Sequence, residues 1–229
     1  MPNYTDNTCE VIGPTKDIET FKKTHILSDK DGNLEFQFDT IIPMPEILGD
    51  TRAGNVDVAF FALGAERNTA LPRLDDRFGN PLSREWVKEI GITTRDQLLA
   101  HLEANHPQDI LEAKRQIEAQ EQTGYPDWYE WCCAHWGTKW DSSDFRWISE
   151  QPCVFNFLTA WSPPFPIFEK IATMYPALTF VWKYEERGVW FAGTVICHEG
   201  KTVSHDQYEP EPYPDHEHED AMEHNSRTE

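Results

Sequence analysis

The run "LTFVWKYEERGVWFAGTVICHE" (178–199) constrains the fold more than any other stretch. Apolar and polar residues alternate along it with a period of two, Leu178, Phe180, Trp182 and Tyr184 fall on one face, and "EERG" reverses the chain. Alternation of this kind marks half-buried strands, and two such runs around a tight polar turn make a hairpin. A chain that carries such a run must build a sheet and cover one of its faces. Upstream, "CVFNFLTAW" (153–161) reads as a buried strand, "SPPFP" breaks it, and "IFEKIATMY" (167–175) reads as a short helix.

The first residues repeat this grammar. "TCEVIG" is a short strand closed by Gly13-Pro14. Thr15 is placed to cap a helix with Ile18 and Phe21 on one face, followed by Ile26 and Leu27. After the turn "KDGN" (30–33), "LEFQFDTII" predicts a strand with Leu34, Phe36 and Phe38 inward, stopped by "PMPE" (43–46). From about residue 50 to 125 the alternation is lost. A loop, "LPRLDDRFGNPLS", leads to a helix that Thr94 and Gln97 open as a capping box, with Leu98, Leu99 and Leu102 as its stripe. Pro107 opens a second helix with Ile110, Leu111, Ala113 and Ile117 on one side and Gly124 after it. These segments predict an α+β sandwich, an antiparallel sheet with helices on one face, carrying a helical insertion over 50–124 between sheet-forming parts 1–49 and 125–203.

Charge limits the partners. Forty acids against twenty bases give a net charge of −20, and residues 205–229 alone hold nine acids and one base. Binding of free nucleic acid rests on neutralising phosphates with Lys and Arg, so direct nucleic-acid binding is not expected. The same field attracts a basic protein surface, including one that normally holds nucleic acid. From Ser204 onward the acidic load and the lack of apolar periodicity predict a flexible tail. No run is apolar enough to span a membrane and no secretory leader is visible, so a cytoplasmic location is expected, with the five cysteines reduced.

"WCCAHWGTKW" (131–140) is the densest motif. Its helical part reads as 127–135, ended at Gly137 by a left-handed cap. Cys132 and His135 share a helix face, but Cys132 and Cys133 diverge by about 100° around the axis, which does not suit one tetrahedral site. On this helix Trp128, Trp131, Cys132 and His135 make one face and Tyr129, Cys133 and Trp136 another; a helix apolar nearly all round is a buried one. Neither a P-loop, GxGxxG nor H-E-x-x-H is present; "HEH" (216–218) in the tail, with His205 and His224, offers at most loose chelation of a divalent metal, and with Glu217 in its middle it gives no nuclease arrangement. No cofactor, metal or catalytic residue is expected. Trp182, Tyr184, Trp190 and Phe191 would stack bases if they faced outward, but alternation turns about half of them inward and no basic rim accompanies them.

"PNYTDNTCEVIGP", "FDTIIPMPE" (38–46), "WYEWCCAHWGTKWD" (128–141), "FLTAWSPP" (157–164) and "YPALTFVWKYEERGVWFAGTV" (175–195) resemble, in this order, the YubB-like family of accessory proteins of phages, plasmids and other bacterial mobile elements. The resemblance covers residues 1–48 and 125–200. It implies a ferredoxin-like sandwich and a mobile-element context, but no chemistry. An iron–sulfur cluster is not implied, since the closely spaced cysteine run it needs is absent.

Together these readings predict an accessory protein that acts by binding, most simply as an acidic inhibitor or modulator of a host defence or nucleic-acid-handling protein in the bacterial cytoplasm. Its expected binding surface comprises Asp75, Asp76, Glu112, Glu118, Lys139, Asp141, Asp144, Glu185 and Glu186. Trp131, Trp136, Trp140, Trp161, Trp182 and Trp190 serve as aromatic core or anchors. The alternatives are an enzyme using Cys/His or a metal, and a regulator of the element's own replication or transfer. The oligomeric state is left open.

Overall fold

A computed structural model describes residues 3–54, 56–68 and 80–210. The main sheet is antiparallel and has six strands: β1 (Tyr4–Ile12), β4 (Ser143–Ser149), β5 (Cys153–Ala160), β6 (Thr179–Glu186), β7 (Phe191–His198) and β8 (Lys201–Tyr208), in the order β4-β5-β1-β6-β7-β8. Two helices, α1 (Thr15–His25) after β1 and α8 (Phe165–Met174) after β5, make the crossovers. Each crossover skips one strand, β1 to β4 over β5 and β5 to β6 over β1. The resulting four-strand core, β4-β5-β1-β6, is the split βαβ arrangement of a ferredoxin-like sandwich.

The period-two pattern decides which face is covered. Cys9 and Val11 of β1, Phe155 and Phe157 of β5, and Phe180, Trp182 and Tyr184 of β6 lie in one core with Phe21 of α1 and Phe168 and Ile171 of α8. The Trp182 indole stacks on Phe168 at 4.1 Å between ring centres. His25, fully buried at the end of α1, is satisfied by Thr40 Oγ1 at 2.7 Å and the Tyr175 hydroxyl at 2.9 Å.

The insertion makes a second core. After the short α2 (Glu46–Gly49), α3 (Asp57–Leu63), α4 (Glu85–Glu89), α5 (Arg95–Asn105) and α6 (Pro107–Thr123) bury Phe60, Val87, Leu98, Leu102, Ile110 and Ala113 together. The Thr94–Gln97 capping box opens α5, and Gly124 ends α6 in the left-handed region (φ 83°). A buried polar hub fastens α6 to α7 (Trp128–His135). The Arg67 guanidinium meets Asp127 at 2.5 Å and Glu130 at 3.5 Å, and its Nε donates to Gln116 Oε1 of α6 at 3.4 Å.

Several expectations need correction. Thr15 opens α1 as its first residue; Pro14 holds the cap position, with no side-chain hydrogen bond. The strand expected through residue 42 ends early: β3 (Leu34–Phe36) pairs only with β2 (Ile26–Ser28), and a 3-10 turn follows at Phe38–Thr40. The Phe38 N–H goes to Asp141 Oδ1 at 2.9 Å instead of a ladder partner, and Leu34 is exposed. Leu111 is exposed because it lies about 100° around the helix from the buried Ile110. The tail expected from Ser204 begins as β8, whose His205 opposes Val195 and bonds the Tyr184 hydroxyl at 2.8 Å. Residues 211–229 lie outside the described residues. Among the described residues, no helix is long and apolar enough to cross a membrane.

Candidate functional site

The motif 131–140 and the end of β5 meet at one corner of the sheet. Asp127 caps α7 by accepting the Glu130 N–H at 2.9 Å, and Trp131, Cys132 and Trp136 pack into the main core, the Trp136 indole donating to Ile42 O at 2.9 Å. Gly137 then turns the chain at φ 77°, where a Cβ would lie 2.8 Å from the Pro166 ring. Only glycine gives both that angle and that clearance. Two hydroxyl bonds hold the turn against the β5 terminus, and a third braces that terminus itself. Thr138 Oγ1 donates to Ala160 O at 2.8 Å, Ser162 Oγ to Gly137 O at 2.6 Å, and Thr159 Oγ1 to Ser162 O at 2.8 Å.

Once held so, three aromatic rings gather round one ammonium. Lys139 Nζ lies 4.7 Å from the Trp140 ring centre, 5.2 Å from Trp161 and 5.7 Å from Tyr129, and Tyr129 meets Trp161 edge to face at 6.1 Å. All three distances fall within the range of cation–π attraction, worth about 0.5–1 kcal/mol for each well-placed ring at exposed sites. Among the described residues Lys139 makes no ion pair, in a chain with twice as many acids as bases.

Trp161 sits there at a cost. Its backbone has φ 70°, a left-handed conformation that disfavours a bulky side chain by about 1–2 kcal/mol. The residue is nevertheless 42% exposed. Its backbone N–H donates to Asn3 O at 2.9 Å, and Asn3 also touches the β6–β7 turn beside Gly188. That turn carries the second strained tryptophan, Trp190 (φ 70°), exposed next to Val189. The pairings Tyr4↔Ala160 and Asp6↔Glu185 bring the start of β1, the end of β5 and the end of β6 to the same end of the sheet. Tyr4, Trp161 and Trp190, with the aliphatic Val189, therefore form an exposed apolar rim there.

The acidic residues expected to form a surface are scattered. Glu118 and Asp144 are exposed. Glu112 is buried, its carboxylate accepting the Arg52 N–H at 2.6 Å, and Glu186 is buried where it accepts the Gly188 N–H at 2.8 Å. Asp141 is turned inward onto Phe38 and Ser142, and Glu185 pairs with Arg187. These four bind the protein's own backbone or side chains. Asp75 and Asp76 lie outside the described residues. Trp131, Trp136 and Trp182 are core; Trp140 is half-buried; Trp161 and Trp190 are exposed. Tyr184 and Phe191 face the helices, so the open face of the sheet does not carry the aromatic platform considered for bases. Asn3 and Tyr4 complete the corner without having been singled out from the sequence, and Tyr129 was read there only as part of a buried helix face.

The titratable groups nearby describe burial more than activation. Burial pushes the Cys132 thiol up to about 12 and Cys133 up to about 11, which makes both poor nucleophiles at neutral pH. Burial likewise raises Asp141 to about 7, against the pull of the Phe38 and Ser142 N–H groups, and lowers His135. His135 stacks on Trp131 at 4.5 Å and lines a cleft of about 730 Å³ with Glu46, Asp50 and Gln122, which Asp141 does not line. Among the described residues no group of three or more His, Cys, Asp or Glu side chains could hold a metal ion.

Comparison with curated proteins gives no match. The crystal structure of the protein api92 from Yersinia pseudotuberculosis is similar at 13% identity, covering 93% of this chain and 100% of that one, with a TM-score of 0.44. Residues 135–225, which hold the Lys139–Trp161 corner and strands β4 to β8, match the family model described as the ferredoxin-like domain in Api92-like protein.

Proposed function

We propose that this chain is a binding protein that docks a partner protein at the aromatic corner formed by Tyr129, Lys139, Trp140 and Trp161, with Trp190 on the same rim. The observation that carries the reading is Trp161: a large ring held in a strained backbone and left exposed. Strain of this kind persists where surrounding structure enforces it, and it clusters at functional sites. Exposed tryptophan and tyrosine are the residues on which protein interfaces concentrate their affinity. The net charge of −20 favours a basic partner. The resemblance to YubB-like proteins supports a mobile-element context, in which the partner is a host protein, of defence or nucleic-acid handling, that the chain inhibits or modulates.

Affinity capture from bacterial cells tests this, with wild type beside Trp161→Gly, a residue at ease at φ 70°, and circular dichroism to confirm folding. The expected result is a basic protein retained by wild type, weakened as salt rises and lost from the variant. Retention by both proteins alike, or no partner at all, would sink the reading.

A further inference from the structure

We infer that the ring cluster of Tyr129, Trp140 and Trp161 is a receptor for the basic side chain of a partner protein, and that Lys139 is its internal placeholder. This rests on reading the corner as a docking site and names the group that docks. The ligand class is legible because a cation already occupies the site: Lys139 Nζ faces three rings at 4.7–5.7 Å. Aromatic faces carry negative quadrupole density and select cations over neutral chains of the same length.

Two features make Lys139 a replaceable occupant. Its ammonium is bound by rings alone, with no carboxylate partner among the described residues, whereas Lys22 pairs with both Glu19 and Glu150. The backbone beside it is fixed through Thr138 and Gly137, so the ring walls stand while the four-carbon stem swings out. The stem then regains rotamer freedom, which offsets part of the lost attraction. An incoming guanidinium stacks on indole faces better than an ammonium does and is less strongly hydrated. Self-occupancy also has a consequence for selectivity. Stray cations must compete with an intramolecular lysine, while a basic surface that engages Trp161 and Trp190 together displaces it.

The test needs no identified partner. The indole N–H NMR signals of Trp140 and Trp161 are followed while N-acetyl-arginine amide is added, with N-acetyl-norleucine amide as the uncharged control. Lys139→Met keeps the packing of the stem and removes the competing charge. It is expected to bind the arginine probe about tenfold more tightly than wild type does, from the loss of one or two ring contacts. The norleucine probe should shift neither protein, and Trp161→Gly added to Lys139→Met should abolish the response. Lys139→Arg, which restores an internal cation that stacks at least as well as lysine, should return the affinity to the wild-type level or below it. Equal affinity in wild type and Lys139→Met overturns the inference, as does an equal response to the uncharged probe. If partner capture is lost in Trp161→Gly while Lys139→Met gains nothing, docking stands and the placeholder falls. If Lys139→Met gains affinity while capture is indifferent to Trp161, the cation receptor stands and docking at this corner falls.

Discussion

Replacing Asp141 with Asn should stabilise this protein at pH 8 and do almost nothing at pH 4. The carboxyl accepts the Phe38 N–H at 2.9 Å and the Ser142 N–H at 2.7 Å, yet burial, with a smaller push from Glu35, raises it to about 7. In the unfolded chain an aspartate titrates near 3.9. Below about pH 4 the proton is bound in both states and the group has no effect on stability. Between about pH 4 and 7 the folded protein keeps the proton that the unfolded chain releases, so its stability contribution is lost as pH rises. At about 1.4 kcal/mol per unit, three units come to roughly 4 kcal/mol lost by pH 8. Asparagine keeps an oxygen for the two N–H groups and has no charge to desolvate, though its weaker hydrogen bonds return about 1 kcal/mol of the gain. Urea denaturation at pH 4.5, 6 and 8 should therefore show Asp141→Asn about 2–3 kcal/mol more stable than wild type at pH 8, with the gap closing toward pH 4.5. A variant less stable than wild type at pH 8 would mean that the two N–H groups outweigh burial, and would refute the reasoning.

Arg67→Met strips Asp127 and Glu130 of their buried cation and should cost about 3 kcal/mol, loosening the insertion from the sheet; hydrogen exchange should show α6 and α7 opening before β5 and β6. Trp182→Ala empties a fully buried site stacked on Phe168 and should cost about 3–5 kcal/mol in denaturant, against almost no change for the exposed Glu118→Ala. His25 is held down to about 4 by burial, so its stability contribution is whole above pH 6.5 and is lost as pH falls toward 4; an NMR titration should find its ring neutral at pH 5.5, and a ring charged at that pH would contradict the burial.

Alternation of apolar and polar faces made several strands legible, though β4, whose Phe145 and Trp147 alternate with polar neighbours, was not read as one. Phe180, Trp182 and Tyr184 announce β6, and Thr94 with Gln97 announces α5, because the cause in each case lies within a few residues. β8 was not legible. Its residues lie at the sheet edge, mostly exposed, and its ordering comes from the ladder with β7 instead of from its own apolar pattern. Phe38 shows a related limit: its place in an alternating run predicts a strand, but a carboxylate 103 residues away captures its N–H and a turn wins. At the corner, "WGTKW" and "TAWS" were visible as motifs, while their meeting depends on hydroxyl bonds between segments some twenty residues apart. Trp161 in the left-handed region could not be foreseen, since local preference there runs to Gly and Asn. The acidic residues misled for a simple reason: composition counts carboxylates but does not say which ones face inward, as Glu112, Asp141 and Glu186 do.

Docking at the aromatic corner is tested most directly by placing a photo-crosslinking phenylalanine analogue at position 161 in living bacterial cells, and another at Glu118 on the exposed side of α6. If the corner docks the partner, position 161 yields one crosslinked basic protein and position 118 does not. Crosslinking of the same protein from position 118 alone, or none from position 161, would contradict it.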